Sequence, residues 1–161
     1  MDALDLAILI EDEAQERYRE FASLIGSRYK GDAASFFKME KNEAKHGQEL
    51  SQRRKALFGN QPARVDSSMI LDVEAPEYSK AESFMAPYKA LQIAYNGEVK
   101  AFKFFEQALL SVQDSEVKAL FEELKKEELH HQDLLKEQMK KVPKDQKPDI
   151  DPDDVDEPPG L

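Results

Sequence analysis

The stretch Glu43-Ala44-Lys45-His46-Gly47-Gln48-Glu49-Leu50 has a near copy in Glu127-Glu128-Leu129-His130-His131-Gln132-Asp133-Leu134. Each phrase sets a glutamate three residues before a histidine within a run of strong helix formers. A helix turns about 100° per residue, so positions i and i+3 share a face. Each phrase therefore points one carboxylate and one imidazole the same way, an arrangement suited to holding a metal ion.

Working outward from these phrases, the flanking sequence predicts four helices. Residues 2–26 carry Leu4, Ala7, Ile8, Glu11, Ala14, Tyr18, Phe21, Ala22 and Ile25 at 3–4 spacing. Asp12, Glu13, Glu16 and Arg17 read as solvated charges on the opposite face. Gly26 to Gly31 makes a turn, with Asp32 as a cap. A second helix runs to about Phe58, with Ala33, Phe36, Phe37, Glu40, Glu43, Gly47, Leu50 and Leu57 inward. Gly59-Asn60-Gln61-Pro62 stops it. The third is expected over about 84–112, with Pro87 tolerated in its first turn and Leu91, Ala94, Tyr95, Glu98, Ala101, Phe102, Phe105 and Leu109 inward. The fourth, about 115–141, is capped by Asp114-Ser115 and ended by Pro143; its inward stripe reads Val117, Leu120, Phe121, Leu124, Glu127, His131, Leu134 and Leu135. The connector 59–82, with a capping-box-like Ser79-Lys80-Ala81-Glu82, is unusually long. Fully extended it reaches roughly 80 Å, twice the roughly 39 Å of a 26-residue helix. It can cross the whole bundle and leave helices two and three parallel.

The composition agrees with an all-α domain over residues 1–141: 40% hydrophobic, 35% charged, six glycines, no tryptophan. Residues 142–161 hold five of the eight prolines and seven acidic residues against two lysines, and read as a flexible solvated tail. A net charge of −10 argues against direct nucleic-acid binding. The chain has no apolar run of membrane-spanning length and no basic leader, so a cytoplasmic location is expected. With no cysteine, disulfides, thiolate zinc sites and iron–sulfur clusters are excluded, and any metal must be held by O and N ligands.

The two halves of the chain repeat one another. Glu11-x-x-Ala14-x-x-x-Tyr18 parallels Glu98-x-x-Ala101-x-x-x-Phe105. A shift of 84 residues lays Phe36 on Leu120, Lys41 on Lys125, Glu43 on Glu127, His46 on His130, Gln48 on Gln132 and Leu50 on Leu134. A duplicated helical hairpin, packed against its copy about a pseudo-twofold axis, makes a four-helix bundle. The repeat assembles six candidate ligands: Glu11, Glu43, His46, Glu98, Glu127 and His130. Four uncompensated carboxylates in a bundle core are strongly unfavourable. Two divalent cations bring the four positive charges that cancel them, and an oxygen–imidazole set suits iron or manganese.

Glu128-x-x-His131 has the same spacing as Glu127-x-x-His130. The Glu127 frame is preferred because it follows the repeat and has Leu124 three residues earlier, where the alternative has Lys125. Glu40 reads as a carboxylate supporting the centre or lying on an iron path, or equally as a stripe-edge residue. Tyr18 and Tyr95 read chiefly as core tyrosines, with hydrogen bonding to ligand carboxylates as the second reading.

These motifs resemble the ferritin-like di-iron carboxylate superfamily, with one Glu from each of two helices and Glu-x-x-His from each of the other two. Glu11-x-x-Ala14-x-x-x-Tyr18, Glu43-x-x-His46, Gly97-Glu98 and Glu127-Glu128-Leu129-His130 are similar to the four helix signatures of its rubrerythrin branch, over roughly residues 4–140. The resemblance implies a ferritin-like four-helix bundle with a long crossover between helices two and three. It also implies two iron ions, with manganese or a mixed pair as variants. The implied activity is that of an oxidoreductase or ferroxidase reacting Fe(II) with O2 or H2O2, served by an external electron donor. A metal-binding or iron-storage protein without turnover is the alternative. Peroxide-reducing rubrerythrins carry a second Glu three residues after the third-helix ligand, where this chain has Ala101, and they usually carry a Cys-rich rubredoxin domain. Both departures point to a plain six-ligand site. A homodimer is expected.

Overall fold

The computed structural model describes residues 1–26, 33–70 and 87–143. Among them are α1 (Asp2–Gly26), α2 (Ala33–Phe58), α3 (Pro87–Ala108) and α4 (Ser115–Lys141), with a 3-10 turn at Ser67–Ile70. The chain is an all-α, ferritin-like bundle.

Helix ends follow local chemistry. Asp114 caps α4, its Oδ1 accepting from the backbone N–H of Glu116 at 3.0 Å and of Val117 at 2.9 Å. Pro87 is the first residue of α3, where its missing N–H is harmless. α3 ends at Ala108, four residues before the expected 112; residues 109–111 continue as turns, with Leu110 N–H bonding back to Gln107 and Ser111 N–H to Ala108. The expected turn at Gly26–Gly31, the Asp32 cap, the capping box at 79–82 and most of the 142–161 tail lie outside the described residues.

Helices α1 and α2 pack as one hairpin and α3 and α4 as the other. Two apolar clusters hold the hairpins together, one toward each end. One joins Tyr18, Phe21, Phe36, Met39, Leu91, Leu135 and Met139. The other joins Leu4, Leu50, Phe105, Leu109, Val117, Phe121 and Leu124. The second cluster gathers the start of α1, the end of α2, the end of α3 and the start of α4. Helices α2 and α3 therefore run parallel, as the long crossover allows. The 3-10 turn at Ser67–Ile70, part of that crossover, packs on α1. At the bundle end, Arg54 pairs with buried Asp5, and Arg53 with Asp114 and Glu116.

The core departs from the expected stripes at several places. Met39 and Ile10 are buried, whereas Phe37 is 46% exposed and Leu57 37% exposed. Tyr95, Phe102, Leu120 and Leu134 are only partly buried. Each helix keeps the residues that continue an alternating 3–4 step through its centre, such as Phe36, Met39, Glu43, His46 and Leu50 in α2. Phe37 lies about 100° off that line. Arg17, expected in solvent, is buried against α3, its guanidinium filling the space beside Gly97 that a Cβ would occupy.

Truncating a fully buried ring should leave a cavity that the bundle cannot close. Phe121→Ala is expected to lower unfolding stability by about 3–5 kcal/mol, whereas Phe37→Ala should change it by about 0.5 kcal/mol or less. Urea unfolding of both variants checks this; equal losses would contradict the core described here.

Candidate metal centre

Between the two apolar clusters lies a polar layer supplied by all four helices. Glu11, Glu43, His46, Glu98, Glu128 and His131 are each 3% exposed or less. α1 and α2 bring Glu11 beside His46 because Gly47 lets them approach closely: a Cβ on Gly47 would stand 3.2 Å from Asp12 Oδ1 and 3.7 Å from Glu11 Cβ. Within the layer, His46 Nδ1 is 3.2 Å from Glu43 Oε2 and 3.5 Å from Glu11 Oε2. His131 Nδ1 is 3.0 Å from Glu43 Oε1 and 3.4 Å from Glu98 Oε2. The two imidazoles are nearly parallel, with centroids 6.1 Å apart and planes 22° apart. Glu43 therefore stands between two histidines. It belongs to two triads, Glu11–Glu43–His46 and Glu43–Glu98–His131, in each of which the ligand atoms lie within 4.8 Å of one another.

Four of the six ligands expected from sequence, Glu11, Glu43, His46 and Glu98, meet in this layer. Glu127 and His130 do not; the structure places Glu128 and His131, the other frame, in the layer instead. Glu127 has its side chain 37% exposed, and His130 is exposed. Both line an open groove along α4 together with Glu122, Glu123 and Lys126. The physical reason lies in the flanking turns. Phe121 and Leu124 before, and Leu135 and Met139 after, are buried, and stepping by 3 or 4 between them lands on Glu128 and His131. A signal for this was present in the sequence. A shift of 85 rather than 84 lays Phe36 on Phe121, Met39 on Leu124, Glu43 on Glu128, His46 on His131 and Leu50 on Leu135. The 84-residue shift lays buried His46 and Leu50 on exposed His130 and half-buried Leu134; the 85-residue shift lays buried side chains on buried ones.

Further residues hold the layer in place. The Tyr18 hydroxyl donates to Glu98 Oε1, so this core tyrosine does bond a carboxylate of the centre. Gln132 Nε2 donates to the Glu98 backbone carbonyl at 3.3 Å. Asn42 Nδ2 lies 3.4 Å from His131 Nε2. Tyr95 sits instead at the core edge, with Lys136 Nζ 5.2 Å from its ring centroid. Glu40 is a stripe-edge residue paired with Arg19 at 2.8 Å.

The electrostatics follow from burial and proximity. Burial pushes the Glu11 carboxyl well above the usual carboxylate range. Burial does the same to Glu128, and the nearby Glu98 charge adds to it. Burial acts upward on Glu43 too, but the imidazoles of His131 and His46 on either side hold it down to about 2. Burial acts downward on the histidines, and the carboxylates outweigh it, raising His46 to about 10 and His131 to about 11. At neutral pH the metal-free layer thus keeps His46 and His131 protonated, and burial favours the neutral form of Glu11 and Glu128. Protons on all four groups would supply the positive charge that two divalent cations would bring.

The donor set fits such cations. Glu11 Oε1, Glu43 Oε1 and His131 Nδ1 are buried without a hydrogen-bond partner among the described residues. The last two are only 3.0 Å apart yet misaligned for a hydrogen bond to each other. Unpaired buried polar atoms are rare because each is costly to desolvate. Here each belongs to a residue of one of the two triads, with Glu43 common to both.

Comparison with known proteins agrees with this geometry. The chain is similar to a crystal structure of an uncharacterized conserved protein from Magnetospirillum magnetotacticum MS-1, with 30% identity over 93% of this chain and 97% of that one and a TM-score of 0.75. No match is found among curated proteins. The rubrerythrin family model matches residues 2–146. With its bundle, its carboxylate–histidine layer and this match over most of its length, the chain belongs to the rubrerythrin family.

Proposed function

We propose that this protein is a di-iron oxidoreductase of the ferroxidase type, which oxidises Fe(II) with O2 or H2O2. The observation that carries the reading is Glu43, shared by two buried carboxylate–histidine triads. Glu11, Glu43 and His46 would hold one ion, and Glu43, Glu98 and His131 the other, with Glu128 beside Glu98 as a further carboxyl for the second. A bound iron pair supplies the electrons that reduce the oxidant. The chain's own residues set the conditions for this. Tyr18 and Gln132 fix Glu98 from its carboxylate and its backbone. The apolar clusters on either side exclude water and strengthen every charge interaction inside the layer.

Ala101 is buried against Ile10 and brings no further carboxylate to the centre. This supports oxidation of Fe(II) over the peroxide reduction of relatives that carry a glutamate there. We assign the electrons to Fe(II) itself or to an external donor. The helices of one chain complete the layer, so a homodimer, which we retain as the assembly, is not needed to form it. Among the described residues no helix is long and apolar enough to cross a membrane; a cytoplasmic setting is part of the proposal.

Anaerobic Fe(II) loading followed by metal analysis should find two ions per chain. Glu128→Gln and His131→Ala should each lose at least one of them, while Glu127→Gln and His130→Ala should keep both at saturating metal. Stopped-flow mixing of the loaded protein with O2 and with H2O2 should show oxidation repeated over many equivalents of added Fe(II). Consumption of oxidant that stops after the first equivalents would leave a storage role and sink the oxidoreductase reading.

Metal should displace protons from the layer, so loading two divalent ions at pH 7 should release at least the two held by His46 and His131, read with a pH indicator in weak buffer. The same groups set the stability of the metal-free protein. Stabilisation from His46 and His131 is complete below their ordinary 6.5 and is lost as pH rises towards about 10 and 11. Glu11 and Glu128, raised from 4.5, lose stabilisation in the same direction, starting near pH 4.5. Glu43 acts oppositely, losing its contribution as pH falls from 4.5 towards about 2. The thermal midpoint of the metal-free protein should therefore fall from pH 6 to pH 9, and bound metal should remove that fall. A midpoint that rises over this range without metal contradicts the charge assignment.

A further inference from the structure

The two imidazoles face the carboxylate layer through Nδ1, which leaves Nε2 of each ring turned outward. Behind His46, Nε2 stands 3.8 Å from Glu127 Oε2, within ion-pair distance. Behind His131, Nε2 stands 3.4 Å from the Asn42 side-chain amide. The support is crossed: α4 backs the histidine of α2, and α2 backs the histidine of α4. Asn42 and Glu127 are also the same position of the repeat, 85 residues apart, each immediately before Glu43 or Glu128. The pseudo-twofold axis thus relates a neutral amide to a carboxylate at equivalent places behind equivalent histidines.

When Nδ1 holds a metal, Nε2 carries the ring proton. The Asn42 carboxamide meets an Nε2–H with its oxygen, by a half-turn that exchanges its two ends. A neutral oxygen and a carboxylate are unequal acceptors. At 3.8 Å Glu127 acts on His46 through its charge and not through a hydrogen bond, and a carboxylate behind an imidazole makes the ring a better donor to the metal. We propose that Glu127 and Asn42 are positioning residues that make the two metal sites unequal, so that the half containing His46, backed by the carboxylate, takes the first divalent cation. This rests on the two-metal reading above and adds to it an order of filling. Glu127 thus stays next to the centre, behind a ligand instead of among the ligands.

Calorimetric titration of the full-length protein with Fe(II) under anaerobic conditions, repeated with Mn(II), tests this. The wild type should bind in two steps differing about tenfold or more in affinity. Glu127→Gln puts an amide behind both histidines; it should weaken the tighter step about tenfold and bring the two together. Asn42→Asp puts a carboxylate behind both; it should tighten the weaker step and also narrow the gap. Far-UV circular dichroism of each variant confirms that the helices persist. Two wild-type steps of equal affinity overturn the inference, as does a Glu127→Gln variant in which both steps weaken alike or neither changes. If the wild type takes up no pair of ions, the two-metal reading itself fails, and that outcome is distinct from two ions bound with equal affinity.

Discussion

The structure depends on charge compensation in one buried layer. Four carboxyl groups and two imidazoles lie where water does not reach, between two apolar clusters that hold the bundle shut. Isolated charges there would cost several kcal/mol each. The layer accommodates them because the groups neutralise one another once four protons are present, and two divalent cations would supply the same total charge. Two sets of counter-charges therefore satisfy one arrangement of side chains. A helical bundle with large apolar clusters can hold such a layer together in either state, whereas a small metal-dependent domain with little core cannot.

Helix geometry explains why the layer needs two hairpins. A single hairpin presents one Glu and one Glu-x-x-His, too few donors to enclose two ions. The second hairpin repeats the set, and Glu43 reaches across to His131 and joins the halves. Close approach at Gly47, the Tyr18 hydroxyl on Glu98 and the Gln132 amide on the Glu98 carbonyl then fix positions that helix packing alone would leave loose. The halves are copies in topology and in ligand type. Among the positions beside the ligands where they differ, Asn42 answers Glu127, and that difference lies behind the two histidines.

Much of this was legible in the residues. The four helices were readable because buried apolar side chains recur at helical spacing, and Asp114, Pro87 and Pro143 mark ends for simple steric and hydrogen-bonding reasons. Glu11, Glu43, His46 and Glu98 were readable because a carboxylate in an apolar stripe is costly without a purpose. Glu127-Glu128-Leu129-His130-His131 was not readable from its own letters. It contains two Glu-x-x-His frames one residue apart, with identical spacing. The helix turns about 100° between them, so one frame faces the core and the other faces away. Outward letters such as Lys125 and Gln48 contribute little to that choice. Burial of Phe121, Leu124 and Leu135, worth about 1.5–3 kcal/mol for each such side chain, decides it.

The sequence by itself determined the kind of molecule: an all-α chain of two repeated hairpins, with carboxylate and imidazole paired at metal-ligand spacing. Periodicity and composition suffice for that, because they are local properties of a helix and of a residue type. The tertiary structure decided the rotation of α4 between two frames, for which the sequence held a signal only in the 85-residue shift, and it alone decided the burial of Arg17 against Gly97 and the crossed contacts from Asn42 and Glu127. Each of these depends on which atoms of one helix meet which atoms of another. That is settled by packing all four apolar stripes at once, and no single helix carries the information.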